Sequence, residues 1–305
     1  MHVATLIALD WGTTSLRAYL LDATGAIREH RSGGPGIMKV ENGAFEGALD
    51  ALCGDWIAAH PQAQLIASGM IGSKQGWREA PYCPCPAGVA DIAAHLMRIP
   101  LAGGRQLAIV PGVSTIDAAS GVPDVMRGEE TQIIGALAGS GRQVALLPGS
   151  HSKWAWVEDG AIVSFASFMT GEVYAALSGH TILGRLMKLD AQADPAAFER
   201  GVAYGLEAPG ALLSRIFSAR TLGLTGMLAD SALPSYLSGL LIGSEIGGAL
   251  QMQAGTASPV LLGTSELSAL YARALRLARI EARIGPEDCA AAGMARIWRA
   301  ASSLA

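Results

Sequence analysis

The chain has 305 residues, of which 50% are hydrophobic and 16% are charged, and 38 are glycines. This much apolar surface excludes intrinsic disorder, and the length suits two domains of ordinary size. A net charge of −4 with no run of Lys or Arg argues against a nucleic-acid groove or a basic membrane-binding patch. The apolar run at residues 3–9 is too short for a signal peptide, so we expect a soluble, cytoplasmic protein.

The first half of the chain predicts alternating strands and helices. Residues 6–9, 16–20 and 26–31 read as three strands of a meander, with a glycine- and threonine-rich bend after Asp10. A helix over 45–60 and a strand over 65–68 follow, and then a long polar and aromatic loop over 69–88. A helix over 89–97 and a strand over 107–110 complete this half.

The second half repeats the plan. A helix over 129–138 leads to strands at 144–147, 153–157 and 161–168, and helical sequence then dominates from 172 to 253. A strand over 260–262 precedes a helix that ends near 278, and the last helix is expected to start with Pro286 at its first position. The repeat predicts either a duplicated α/β core or two α/β domains with ordinary hairpins.

The segment after the first strand has the composition of a phosphate-binding hairpin. Asp10 ends a buried strand, Gly12 lets backbone amides approach an anion, and Thr13 and Thr14 add hydroxyl donors. Arg17 follows on the next strand, and Asp10 could face the Mg²⁺ of a nucleotide through water. The alternative is an aspartate-initiated turn capped by threonine.

Two later loops have a related composition. Pro148 is followed by a second glycine and hydroxyl hairpin, and Leu262 by a turn suited to an adenine ring. The candidate nucleotide-binding residues of these two loops are Gly149, Ser150, His151, Ser152, Lys153, Gly263 and Thr264.

These motifs resemble those of a known superfamily. The segments at 10–14, 148–153 and 262–267 are similar to the two phosphate motifs and the adenosine motif of the actin/hexokinase/Hsp70 ATPases. Longer segments at 69–79, 110–114, 126–132, 147–154 and 168–172 resemble the 2-dehydro-3-deoxygalactonokinase family. The resemblance covers nearly the whole chain.

The resemblance implies an α/β protein with a duplicated ribonuclease-H-like, two-domain fold and a central cleft. Residues 1–127 would form a domain with the first hairpin and the sugar-acid loop. Residues 128–305 would hold the second hairpin and the adenosine loop, with the last helix returning to the first domain. The implied activity is ATP- and Mg²⁺-dependent phosphorylation of the 6-hydroxyl of 2-dehydro-3-deoxy-D-galactonate.

Related sugar kinases place the catalytic base at the start of a helix, in a segment that matches residues 128–132 here. Glu129 or Glu130 would therefore be the base, with Glu129 favoured, although both acids could simply complement a helix N-terminus. Arg127 precedes them and is a further substrate-binding candidate.

The carboxylate of a sugar acid requires a cation or several donors. The loop over 69–88 is rich in suitable groups, and Arg78 or Lys74 would hold the carboxylate while Gln75 holds a hydroxyl. The substrate-binding candidates in this loop are Ser73, Lys74, Gln75, Trp77 and Arg78.

Other functions stay open at this level. A kinase of the same superfamily acting on another sugar or sugar acid would have the same motifs, and so would a non-catalytic ATP-binding regulator. The sequence does not fix the epimer of the sugar acid or the oligomeric state, a homodimer included.

Overall fold

The computed structural model describes residues 4–252 and 258–304. It divides into two compact units, one made of Met1–Arg142, Trp156–Phe165 and Pro286–Ala305 and the other of Gln143–Ala155 and Ala166–Gly285. The sequence-based division after residue 127 lies before the helix Glu129–Ala136, whereas the first break between the compact units falls after Arg142.

The strands and helices follow one another along the whole chain. The strands are β1 (Ala4–Trp11), β2 (Ser15–Asp22), β3 (Ile27–Pro35), β4 (Gln64–Ser68), β5 (Tyr82–Pro84), β6 (Met97–Pro100), β7 (Gln106–Ile109), β8 (Gly112–Ile116), β9 (Pro123–Met126), β10 (Arg142–Leu147), β11 (Ser152–Glu158), β12 (Ala161–Phe168), β13 (Val260–Leu261) and β14 (Arg283–Ile284). The helices are α1 (Phe45–Ala59), α2 (Val89–Ala94), α3 (Glu129–Ala136), α4 (Thr170–His180), α5 (Pro195–Glu207), α6 (Leu212–Arg215), α7 (Ser218–Leu224), α8 (Leu233–Met252), α9 (Ser265–Leu277) and α10 (Cys289–Leu304).

The first sheet has the strand order β3-β2-β1-β4-β7-β6. Strands β1, β4 and β7 run parallel, while β2, β3 and β6 pair in antiparallel fashion with their neighbours. Its core contains Leu9 and Trp11 from β1 and Leu49 from α1, all fully buried. Because β1 and β4 are parallel and in register, Asp10 and Ser68 lie side by side at the carboxyl ends of these strands.

The second sheet repeats this plan with the order β12-β11-β10-β13-β14. Strand β10 pairs in parallel with β13, as β1 pairs with β4, and β13 pairs in parallel with β14. In both sheets the first strand of a three-stranded meander pairs in parallel with a strand from later in the chain. The duplicated α/β plan predicted from the sequence is therefore confirmed.

A small third sheet was not predicted. Its order is β5-β8-β9, so the segment 69–88, expected to be a loop throughout, contains a short strand as well as a 3-10 turn at Met70–Gly72. These strands are three to five residues long, too short for a hydrophobic period to emerge from the sequence.

Two predicted helix boundaries are wrong. The helix expected over 89–97 ends at Ala94, because Met97 and Ile99 pair with β7. The last helix starts at Cys289 rather than Pro286, since the first intrahelical bond runs from the Ala292 N–H to the Asp288 carbonyl.

The helical region expected over 172–253 is divided into α4–α8, and α5 starts where the Asp194 side chain accepts the N–H groups of Ala196 and Ala197. Residues 253–257, which include the predicted end of this region, lie outside the described residues. Among the described helices, none is long and apolar enough to cross a membrane.

Two helices of the first unit pack very closely. A Cβ atom at Gly135 of α3 would lie 1.8 Å from the Cys289 carbonyl oxygen, and one at Gly293 of α10 would lie 1.9 Å from the Thr131 carbonyl oxygen. The C-terminal helix therefore rests directly on the backbone of α3, the helix that begins with Glu129 and Glu130.

Candidate functional site

Asp10 lies at the end of β1, opposite Arg17 on β2. The Arg17 Nε atom is 3.8 Å from Asp10 Oδ2, and the Asp10 side chain retains 22% of its exposure. Burial raises the pKa of Asp10, and the positive charge of Arg17 partly opposes that rise. The carboxylate is thus incompletely neutralised and still accessible, as expected of a group that faces a hydrated cation.

The first hairpin, residues 11–15, is braced by the chain that follows β3. The N–H groups of Ile37 and Met38 donate to the carbonyl oxygens of Gly12 and Thr13 at 3.0 and 3.2 Å. A Cβ atom at Gly36 would lie 2.3 Å from the backbone of Thr14, so only glycine permits this contact. The Thr13 and Thr14 side chains are exposed, so the hairpin offers hydroxyl groups on a fixed backbone.

Three chain segments meet beside this hairpin. Gly69, just after β4, has a φ of 95°, and a Cβ atom there would lie 2.8 Å from the Trp11 carbonyl oxygen. Gly128, with a φ of 105°, precedes α3, and a Cβ atom added there would lie 3.1 Å from the Gly69 Cα atom. The ends of β1 and β4 and the start of α3 are thus in van der Waals contact, made possible by two glycines with left-handed backbone.

The two acids at the start of α3 have different surroundings. Glu129 is partly exposed, and its Oε2 accepts the backbone N–H of Arg127 at 2.9 Å. Glu130 is fully buried, and it accepts the Gly128 N–H at 2.7 Å and the Thr131 hydroxyl at 3.0 Å. Burial, with the charge of Glu129 adding to it, raises the pKa of Glu130 to about 8. Glu130 is therefore mainly protonated at neutral pH, and Glu129 is the accessible acid.

The substrate loop, residues 69–88, is tightly folded. The backbone N–H of Trp77 donates to the Ile71 carbonyl oxygen at 2.9 Å, and a Cβ atom at Gly76 would lie 2.2 Å from that same oxygen. Trp77, grouped with the substrate-binding residues by sequence, stacks on Phe45 at 5.8 Å and meets Trp11 edge-on at 6.4 Å. Its indole therefore anchors the loop next to the first hairpin.

The remaining candidates of this loop differ in exposure. Lys74, Gln75 and Arg78 are exposed, whereas Ser73 is buried, with 8% of its surface accessible. The loop thus presents two cations and an amide to solvent.

Arg127 joins the substrate loop to the start of α3. Its Nη2 donates to the Ala80 carbonyl oxygen at 2.8 Å, and its guanidinium lies 4.4 Å from the centre of the Tyr82 ring. A Cβ atom at Gly72 would be 3.0 Å from its Nη1. Because the Arg127 backbone N–H also binds Glu129, this residue links the loop to the accessible acid.

The second hairpin, residues 148–152, belongs to the second unit. Ser150 and His151 are exposed, and His151 Nε2 pairs with the Glu172 carboxylate, while Ser152 and Lys153 are buried. The four polar residues predicted from sequence are thus split into an exposed pair and a buried pair.

The adenosine loop, residues 262–265, lies against this hairpin. A Cβ atom at Gly263 would lie 3.5 Å from Pro148 Cδ. The Thr264 hydroxyl accepts the Leu267 N–H and so caps α9, and its first role is therefore structural. Within the second unit, the two predicted nucleotide loops are neighbours.

Sequence reasoning missed a cavity of about 420 Å³ in the second unit. Its walls come from residues 168–173, residues 209–212 and α8, and they are largely apolar with a few polar groups, among them Thr170, Ser244 and Glu245. Such a lining is typical of pockets that bind small molecules.

A buried carboxylate borders this cavity. Glu245 is 3% exposed and accepts the Trp154 indole N–H at 2.9 Å, the Tyr271 hydroxyl at 2.6 Å and the Thr170 hydroxyl. Burial raises the pKa of Glu245, and these hydrogen bonds oppose the rise. A lone acid within the apolar run of α8 was the sequence signal for this group, because a buried acid needs hydrogen-bond partners.

The chain matches a family model and known proteins over most of its length. The sequence pattern of the 2-keto-3-deoxy-galactonokinase family matches residues 10–297. A protein of Rhizobium meliloti (strain 1021) named as a 2-dehydro-3-deoxygalactonokinase, a synonym, is 35% identical over 96% of each chain. The chain belongs to this family.

Two further relatives support the assignment of the chain to the 2-keto-3-deoxy-galactonokinase family. The 2-dehydro-3-deoxygalactonokinase of Escherichia coli (strain K12) is 32% identical over 90% of each chain. A crystal structure assigned to a Sinorhizobium meliloti 2-dehydro-3-deoxygalactonokinase matches with a TM-score of 0.84 and 34% identity, covering 98% of this chain and 99% of that one. The fold of the chain is therefore that of a solved structure from this kinase family.

Proposed function

We propose that this protein transfers the γ-phosphoryl group of ATP to the 6-hydroxyl of 2-dehydro-3-deoxy-D-galactonate. The chain belongs to this kinase family, and one observation in its structure carries the proposal. The ends of β1 and β4 contact the start of α3 at Trp11, Gly69 and Gly128. This contact brings an accessible carboxylate, a braced hydroxyl hairpin and an accessible acid into one region of the first unit.

Each of the two hairpins has donors suited to the phosphates of ATP. In the first, the amide of Gly12, the hydroxyls of Thr13 and Thr14 and the guanidinium of Arg17 are the available donors. In the second, the exposed Ser150 and His151, with the amide of Gly149, would contact phosphate oxygens. Ser152 and Lys153 are buried and would act by holding the hairpin in place.

The second unit would also bind the base of the nucleotide. Gly263 leaves room for the adenosine to approach the backbone, as its Cβ atom would meet nothing closer than Pro148 at 3.5 Å.

Asp10 fits a magnesium site. Mg²⁺ prefers oxygen ligands, keeps several waters and is commonly held by one or two carboxylates plus substrate phosphates. Among the described residues no group of three or more His, Cys, Asp or Glu could hold a metal by itself, so the nucleotide would supply the remaining ligands. When bound, the ion would neutralise charge on the phosphates.

Glu129 would act as the general base. It is the accessible acid at the start of α3, whereas Glu130 is buried and mainly protonated at neutral pH. The bond from the 6-oxygen to the γ-phosphorus would form as the bond from that phosphorus to the bridging oxygen breaks. The hydroxyl proton would pass to Glu129, and ADP would leave.

The substrate loop would bind the sugar acid. Arg78 or Lys74 would pair with the carboxylate and Gln75 with a hydroxyl, since these are exposed side chains of the loop that carry N–H donors. Ser73, Trp77 and Arg127 would shape the loop from within, because their side chains are packed or tied to the backbone.

Coupled measurement of ADP release tests this proposal. The panel would contain 2-dehydro-3-deoxy-D-galactonate, its gluconate epimer, other sugar acids and neutral sugars. We expect the highest kcat/KM with the galactonate compound. A preference for another substrate would assign a different kinase activity, and tight ATP binding without turnover on any of them would indicate a non-catalytic regulator.

A further inference from the structure

We infer that Glu245 is a positioning residue that fixes the second hairpin from two sides. Its carboxylate lies on α8 and binds Trp154, Thr170 and Tyr271, which come from β11, α4 and α9. The inference rests on the proposed function, because it concerns how that hairpin holds the phosphates of ATP.

The first connection runs through Tyr271. The Tyr271 hydroxyl donates to Glu245 at 2.6 Å and is 2.8 Å from the Ser152 hydroxyl, at the end of the hairpin. Both Ser152 and Tyr271 are almost fully buried, so no water competes for these bonds. The end of the hairpin is thus tied to the carboxylate through one shared phenol group.

The second connection runs through Thr170. This residue begins α4, and the next residue, Gly171, is so close to the hairpin that its Cβ atom would lie 2.5 Å from the Gly149 carbonyl oxygen. The N–H of Glu172 donates to the Ser150 carbonyl oxygen at 3.0 Å. Holding Thr170 therefore holds the start of α4 against the exposed part of the hairpin.

Glu245 itself need not touch the nucleotide phosphates. Its two oxygens accept three hydrogen bonds, which accounts for most of the acceptor capacity of a carboxylate in this enclosed place. Hydrogen bonds to a charged group are about twice as strong as neutral ones, so this acid can keep both connections rigid. A loosened hairpin would bind ATP less well and orient its γ-phosphate less precisely, while the substrate loop would be unchanged.

Steady-state kinetics of Glu245→Gln, Tyr271→Phe and Thr170→Val test this inference. The matched control is Tyr236→Phe, because Tyr236 also lies on α8, is 2% exposed and forms a 2.7 Å bond to a serine hydroxyl, that of Ser218. We expect kcat/KM for ATP to fall about 10- to 100-fold in Glu245→Gln and about 3- to 10-fold in Tyr271→Phe and in Thr170→Val. The KM for the sugar acid should stay within about twofold, and the control should resemble the wild type.

A double variant separates positioning from general damage. Glu245→Gln combined with Tyr271→Phe should lower kcat/KM for ATP no further than Glu245→Gln alone, because Glu245→Gln already interrupts the connection through Tyr271. Unchanged ATP kinetics in the single variants would overturn the inference, and so would an equal loss in Tyr236→Phe or a parallel rise of both Michaelis constants. If Glu245→Gln fails to fold, Tyr271→Phe and Thr170→Val decide by the same criteria.

Calorimetric titration with MgADP keeps the inference separate from the proposed function. If the wild type shows no kinase turnover, the proposed function fails. The hairpin inference still predicts weaker MgADP binding in Tyr271→Phe than in Tyr236→Phe, and equal binding in these two variants would overturn it.

Discussion

Glu129 and Glu130 are adjacent in the chain, yet the fold gives their carboxyl groups opposite properties. The sequence places both acids in the first turn of a helix and favours Glu129 as the base, although either acid could simply complement the helix N-terminus. Burial ranks them, because Glu130 faces the core next to Thr131 and Ser68 while Glu129 stays accessible. Burial of this kind depends on β4 and α10, which are distant in the chain.

Substitution of the two acids tests their assigned roles. We expect Glu129→Gln to lower kcat by about 10²- to 10⁴-fold, the usual contribution of a general base. Glu130→Gln should retain most of kcat, because an amide resembles the protonated carboxyl group it replaces. Single-turnover phosphorylation checks both, and the reverse order of effects would assign the base to Glu130.

The raised pKa of Glu130 has a consequence for stability. The unfolded chain releases this proton near pH 4.5, whereas the folded chain holds it up to about pH 8. Between these values the unfolded state binds fewer protons, so this group makes the free energy of unfolding fall as the pH rises. Glu130→Gln lacks the effect.

The free energy of unfolding of Glu130→Gln minus that of the wild type should therefore be larger at pH 8 than at pH 5. Urea denaturation at both values measures it, and a difference independent of pH would show that Glu130 is ionised in the folded protein.

Arg78 is the exposed cation expected to bind the substrate carboxylate. Arg78→Ala should raise the KM for the sugar acid about tenfold or more, through loss of a charge-assisted hydrogen bond, and leave the KM for ATP nearly unchanged. Arg142→Ala, which removes an arginine 85% exposed and paired with Glu158, is the control. An unchanged KM for the sugar acid in Arg78→Ala would move the assignment to Lys74.

At the scale of elements, glycines set the distances on which the site depends. Gly69 and Gly128 let β4 and α3 approach the first hairpin, and Gly135 and Gly293 let α10 rest on α3. The hairpins themselves could be predicted, because a strand end followed by glycine and hydroxyl residues is a local signal. The helix contact could not, since it joins residues more than a hundred positions apart.

A methyl group between α3 and α10 should disturb both stability and catalysis. At Gly293 it would clash with the Thr131 carbonyl oxygen, so we expect Gly293→Ala to lower the free energy of unfolding by about 1–3 kcal/mol and to reduce kcat through displacement of Glu129. Gly47→Ala, in α1 where nothing lies within 4 Å, should instead stabilise by up to about 1 kcal/mol. Denaturation and kinetics check both, and equal behaviour of the two variants would contradict the close helix contact.

At the scale of the whole molecule, the repeated meander left a duplicated core as one of two interpretations, and the resemblance to a known family decided between them. The short strands β5, β8 and β9 were not predictable, because they gain their stability from pairing across the chain rather than from a local pattern. The bonds around Glu245 were hidden for the same reason, since its partners come from three other elements. Local sequence patterns thus predict candidate ligand-binding loops, whereas the contacts that hold these loops in place join residues distant in the chain.

The most direct test of the proposed function is the site of phosphorylation in the product. The protein would be incubated with Mg²⁺-ATP and 2-dehydro-3-deoxy-D-galactonate, and the sugar-acid product analysed by ³¹P–¹H correlation NMR, with Glu129→Gln as the control. Within a few turnovers of the wild type, we expect one phosphomonoester signal coupled to the protons on carbon 6, and no detectable signal from the control in the same time. A product phosphorylated at another oxygen, or no phosphorylated sugar acid from the wild type, would contradict the proposed function.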